Sequence, residues 1–148
     1  MNSNFWRTLF DPRGRRSRGG FWAYIGVSLL GYMVCVMLAG MLAMIQPNLF
    51  WVVFAPTLLA ISVGSVINAI RRLHDLGHSG WWLALIILVA AVLALGSLGE
   101  SESGGSAFAG LQVLLGLAEL IWFGAVAGQP GPNRFGDSPI GSAEPVAA

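Results

Sequence analysis

Three groups of polar residues in this chain have types and spacings that invite chemistry. His74 and His78 stand four apart with Asp75 between them, a spacing that puts two imidazoles on one face of a helix and suggests a divalent metal. Arg15, Arg16, Arg18, Arg71, Arg72 and Arg134 lie in short turn-forming segments. A planar guanidinium fork suits phosphate, and anionic lipid headgroups are the nearest source of it. Glu119 stands in the middle of an apolar run, where an acid is costly unless neutralised, paired or hydrated.

Each group also has a plainer reading. Gly77 and Gly80 break the helix that the histidine pair would need, and no third ligand lies nearby in sequence, so neither a metal nor a cofactor is expected. Instead Arg71 and Arg72 close the end of a helix, where cations complement the terminal carbonyls. Gly77 and Gly80 then turn the chain, and Asp75 pairs with an arginine of its own loop or of the leading basic segment. The arginines can also act through topology alone. For Glu119, Gln112, Gly116 and Phe123 fall on the same helical stripe, which should face other helices. The candidate partners are Thr57, Ser62, Ser65 and Asn68. A neutral carboxyl hydrogen-bonded between helices is preferred over a proton- or cation-linked site, because no second intramembrane charge exists to form a relay.

The elements that must position these groups are written in the composition. The chain has 148 residues, 55% of them hydrophobic and only 10% charged, with a mean hydropathy of +0.71. A soluble domain carries about 25% charged residues, so a water-soluble globule, a nucleic-acid binder and a disordered regulator are all poor descriptions. Four apolar runs, 21–45, 49–70, 81–98 and 107–128, fall in the range of roughly 17–25 residues that crosses a bilayer. The first is too long for the apolar region of a signal peptide and lacks a cleavage site after it, so it reads as a retained span. All eight basic residues are arginine: five precede the first run, two lie between the second and third, and Arg134 follows the fourth. The loops at 46–48 and 99–106 have none. The positive-inside rule then puts both termini in the cytoplasm and supports an even number of crossings.

The expected architecture is all-α: a polytopic membrane protein of four transmembrane helices arranged as two antiparallel hairpins. A basic segment at 1–20 leads into a membrane domain at 21–128, and a Pro- and Gly-rich tail follows at 129–148, extended and disordered at its end. Trp22, Tyr24, Trp51, Trp81 and Trp82 suit anchoring at headgroup depth. Ala60 with Gly64, Ser65 with Ala69, and Gly124 with Gly128 are small pairs that allow close backbone approach between helices. Pro56 is a candidate kink whose freed carbonyl a Ser or Thr neighbour can satisfy. Cys35 reads as a small buried hydrophobe.

Three polar blocks remain. They are a Gly-Arg-x-Ser-Arg-x-x-Phe-Trp-like stretch from Gly14 to Trp22 with one extra Arg, Arg71-Arg72-Leu73-His74-Asp75 followed by Ser79-Gly80-Trp81-Trp82, and Pro130-Gly131-Pro132-Asn133-Arg134-Phe135-Gly136. Together they resemble the signature blocks of the domain of unknown function 805 family of small bacterial inner-membrane proteins. The resemblance runs from Phe10 to Gly136 and implies an integral inner-membrane protein with no assigned activity. No nucleotide-binding loop or nucleophile elbow is present, so an enzyme is not expected. The polar blocks form a candidate cytoplasmic cap of Arg15, Arg16, Arg18, Arg71, Arg72, His74, Asp75, Asn133 and Arg134, with a structural, lipid-interacting or partner-binding role. The expected partners are membrane lipids, anionic ones included, and a second copy or another membrane protein, but not nucleic acid. The alternative is a small oligomeric transporter or channel subunit built on an intramembrane polar site of Glu119, Gln112 and Asn68. An intramembrane enzyme acting on lipid through His74 and Asp75 has the weakest support.

Overall fold

The computed structural model describes residues 11–97 and 107–139. Four helices follow one another: α1 Arg18–Ala43, α2 Asn48–Asp75, α3 Trp81–Ser97 and α4 Ala107–Ala125. No strand occurs among the described residues. α1, α2 and α4 are long and apolar enough to cross a membrane, whereas α3 is equally apolar but has 17 residues. At 1.5 Å per residue that is about 25 Å, the short end of what spans a hydrocarbon core. Arg7, the loop with Glu100 and Glu102, and the end of the tail lie outside the described residues.

The helices pair as two antiparallel hairpins. In the first, Tyr24 Oη donates to the Ile61 carbonyl at 2.9 Å, the Tyr32 and Phe54 rings meet edge to face, and the Cys35 thiol faces the Val53 carbonyl. Partners thus run down α2 as the chain runs up α1. In the second, Leu83 at the start of α3 shares a core cluster with Phe123 near the end of α4, while Gly96 lies against the Phe108 ring at the far ends. Most other side chains in α1 to α4 face outward and are apolar, as expected where lipid rather than water is the solvent.

Local signals explain the helix ends. Ser17 accepts the Gly20 amide at 3.2 Å and caps α1. α2 extends past Ile70 through Arg71, Arg72, Leu73, His74 and Asp75, because nothing in that stretch breaks a helix before Gly77. There Gly77 takes a φ of +82°, its amide bonds the His74 carbonyl at 3.1 Å and the His78 amide bonds Leu73 at 2.8 Å. This is a Schellman closure, which needs a left-handed residue at that point. Asp75 therefore sits in the last turn of a helix, not in a loop. Pro56 leaves α2 unbroken. Thr57 donates to Val53 at 2.9 Å, so it does not serve the carbonyl of Val52 that the proline frees.

The two hairpins join through a cluster of Phe21, Leu73, Leu76, Leu83 and Phe123, with Ile25, Ala69, Ile70, Ile86 and Trp122 around it. Every member lies toward the arginine-bearing end of its helix. The polar segments at that end complete the join.

Candidate functional site

Asp75 is 2% exposed and holds two arginines. One carboxylate oxygen accepts Arg15 Nε at 3.0 Å and Nη2 at 2.9 Å, while the other pairs with Arg72 Nη1. The side chains of Arg15 and Arg72 are 1% and 0% exposed. Burial of three charges is tolerable only when their remaining donors find acceptors, and here they do. Arg15 donates on to the carbonyls of Gln129 and Gly131 in the tail. Arg72 donates Nε to the Phe123 carbonyl at 2.6 Å, Nη2 to Val126 and Nη1 to Arg16 at 3.3 Å.

Those acceptors reveal what Arg72 does. The last four carbonyls of α4 have no partner within the helix. Phe123 and Val126 are served by Arg72, Gly124 by Trp22 Nε1 at 3.2 Å, and Ala125 by Arg18 at 3.3 Å. Two helices, α1 and α2, thus close the end of a third. Arg72 lies in the last turn of α2, where a cation is expected, and its hydrogen bonds go further, to the carbonyls at the end of α4. At the end of α2, the Arg71 carbonyl accepts the Arg16 amide at 3.1 Å and the His74 carbonyl accepts Asn133 Nδ2 at 2.9 Å.

The tail is folded onto this clamp. The Gln129 amide bonds the Asp75 carbonyl at 2.8 Å. Asn133 and Gly136 exchange a pair of backbone bonds at 3.0 Å each, and Asn133 Oδ1 accepts the Phe135 amide. This tight turn presents Phe135 flat against His74, with ring centroids 4.0 Å apart, while His74 Nδ1 contacts the Gly14 carbonyl at 3.1 Å. His78 turns elsewhere, edge-on to Trp82 and Trp122. Arg16 bonds the Gly20 carbonyl, and burial, then the charge of Arg71, lowers its pKa below the ordinary value. Arg18 and Arg134 are exposed. The Arg134 guanidinium lies 4.6 Å from the centroid of the Phe135 ring. Arg71 is buried with Nε unpartnered.

The small residues play a different part from the one expected. Gly64 admits the Tyr24 hydroxyl, Gly124 the Trp22 indole and Gly128 the Asp75 carboxylate. Each receives a side chain, so the Gly124 and Gly128 surface is filled from within the chain. A Cβ at Gly128 would collide with a carboxylate that two arginines pin in place. Gly128→Ala is expected to cost about 1–3 kcal/mol and to loosen the tail, read as a lower unfolding midpoint and faster proteolysis after residue 128.

The intramembrane residues separate into two sets. Asn68 and Glu119 line one cleft between the hairpins, with Ser65 and Gly116. Gln112 is exposed and lies outside it, because the stripe on α4 meets neighbours only over its C-terminal half. Thr57 and Ser62 spend their hydroxyls on α2 itself. Among the described residues no hydrogen bond joins Glu119 to its four candidate partners, which corrects the interhelical bond expected for it, and the Asn68 amide oxygen is buried without a partner. Trp22, Gly128, Gln129 and Phe135 belong to the site although the sequence reading does not count them among its candidates: it takes Trp22 as a headgroup anchor, Gly128 as half of a small pair and Phe135 as part of the third polar block.

Comparison with known proteins supplies the family. No solved structure matches the chain. Two relatives, each described as "Uncharacterized protein YiiR", come from Escherichia coli K12 and Escherichia coli O157:H7. Each is 32% identical over 131 residues, covering 86% of this chain and 85% of the relative. The family model described as "Protein of unknown function (DUF805)" matches residues 9–137, a stretch that takes in the second half of the leading segment, all four helices and the docked part of the tail, and the chain belongs to that family.

Proposed function

We propose that this is a protein of the bacterial inner (plasma) membrane with both termini in the cytoplasm, and that it binds anionic lipid headgroups through the outer rim of its arginine cap without catalysing a reaction. The observation that carries this reading is the division of labour among the arginines. Asp75 and backbone carbonyls consume Arg15 and Arg72, so these two build the cap. Arg13, Arg18 and Arg134 stay exposed at the same end of the bundle, Arg18 and Arg134 each giving only one long, exposed bond to a carbonyl, Ala125 at 3.3 Å and Gly77 at 3.4 Å, and there Trp81, 82% exposed, begins α3. An exposed indole beside basic groups suits the headgroup layer. The eight-to-none split of arginine across the loops supports the orientation. Asp75 and His74 are both held by partners of the cap, which favours a positioning role for them over acid–base chemistry.

Each basic group near an anionic leaflet contributes about 1 kcal/mol. Arg13→Gln, Arg18→Gln and Arg134→Gln combined should therefore strip co-purifying anionic lipid while leaving the protein assembled, as read by native mass spectrometry in mild detergent. Unchanged retention of anionic lipid by the triple variant would overturn the reading. A second reading, a small oligomeric transporter or channel subunit, is favoured by one observation: Glu119 faces a cleft instead of a hydrogen-bonding partner.

A further inference from the structure

The cleft between the hairpins has a volume of about 300 Å³, the small end of the roughly 300–1,000 Å³ typical of ligand sites. A single water or alkali ion needs about a tenth of that space. Its wall is drawn from all four helices: Phe21 and Ile25 from α1, Asn68 and its neighbours from α2, Leu83 and Ile87 from α3, and Glu119 and Phe123 from α4. The lining is apolar except for three side chains, Ser65, Asn68 and Glu119. No cationic side chain is among them. Asn68 is 2% exposed, and its amide oxygen has no donor. A carboxyl and an unpartnered amide oxygen in a low-dielectric surround both gain from a hydrogen-bond donor, and a carboxylate gains most from a positive one. Arg72 and Arg15 cannot supply it, since both are committed to Asp75, and Arg71, whose Nε is unpartnered, is not among the residues that line the cleft. Glu119 lies seven residues before Val126, whose carbonyl Arg72 caps, which puts it about 10 Å deeper along the helix axis.

We infer that this cleft binds a lipophilic primary amine, whose ammonium is held by Glu119 and whose apolar body lies against Phe21, Leu83 and Phe123. The size excludes a bare ion as the fitting occupant, the apolar wall selects a hydrocarbon body, and a carboxyl with no cationic side chain in the lining selects a cationic donor over an anion. This site is independent of the headgroup rim: none of its lining residues is an arginine.

The test uses the full chain in nanodiscs of zwitterionic lipid, with octylammonium, octanol and octanoate as probes of one hydrocarbon length. The readout is the thermal unfolding midpoint, followed by intrinsic tryptophan fluorescence. Octylammonium should raise the midpoint of the wild type by several degrees, with octanol and octanoate giving no comparable shift. Glu119→Gln should abolish that shift. Gly116→Leu fills the cleft while leaving both polar groups in the chain, and a Cβ at Gly116 meets nothing within 4 Å, so this variant should fold and also lose the shift. Arg134→Gln should keep it. Equal shifts from octanol and octylammonium, or an octylammonium shift that survives in Gly116→Leu, would overturn the assignment, and the second criterion decides the matter if Glu119→Gln fails to fold.

Discussion

Asp75→Ala is expected to be among the most damaging single substitutions in this protein, lowering stability by about 3–5 kcal/mol. The reason is not the attraction that is lost but the charge left behind. Arg15 and Arg72 are almost wholly buried and would keep their guanidiniums with no acid to answer them. The carbonyls of Gln129, Gly131, Phe123 and Val126 would still accept from them, but a carbonyl dipole does not cancel a net charge. The sharper form of the prediction is its non-additivity. Arg15→Met alone strands half of the Asp75 carboxylate, whereas in the Asp75→Ala background it removes an orphaned cation and should cost little or restore stability. A double-mutant cycle, read from unfolding midpoints in one detergent, should give a coupling of the size found for contacting residues, about 0.5–3 kcal/mol. Simple additivity would mean that Arg15 and Asp75 do not depend on one another. The same variant should release the tail, because the Gln129 amide bonds the Asp75 backbone and Gly128 packs on its carboxylate.

The contrast between what the sequence reveals and what it conceals follows from range. The apolar runs and their bounding arginines are local features, so the four helices and their pairing as hairpins could be read directly. The pattern of Gly77 after a helical stretch marks a stop, and it is used as one. Hydropathy alone misleads at Arg71 to Asp75, where polar residues read as a loop although their helix propensities are ordinary and nothing breaks the helix. That Arg72 also serves α4 depends on which two helix ends lie side by side, a fact with no local trace. The glycines show the same limit. Small residues four apart signal a close approach, but not whether a helix, an indole or a carboxylate arrives. Gln112 and Glu119 share a stripe, yet only Glu119 meets the other hairpin, because the hairpins join chiefly at the arginine-bearing end.

Arg72→Lys keeps the charge and should still cost on the order of 3 kcal/mol, which isolates geometry from electrostatics. Arg72 spans three directions at once: Asp75 on its own helix, Arg16 in the leading segment, and Phe123 and Val126 at the end of α4. A planar fork can do this, whereas an ammonium is a single point on a flexible stem. Lysine can keep the ion pair with Asp75, so the acid remains answered and the penalty of an unpaired buried charge is avoided. What is lost is the pair of bonds to α4, each a hydrogen bond to a charged donor worth about 1.5–3 kcal/mol, with part of the loss offset by the one contact lysine can rebuild. Trp22 and Arg18 would still hold Gly124 and Ala125, so α4 should fray only at its last turn. Hydrogen exchange makes the distinction. The amides of residues 123–126 should exchange faster in Arg72→Lys while those of residues 111–115 keep their wild-type rates, whereas Asp75→Ala should loosen the whole cap, tail included. Protection of the last turn unchanged by Arg72→Lys would mean that α4 is closed by Trp22 and Arg18 alone.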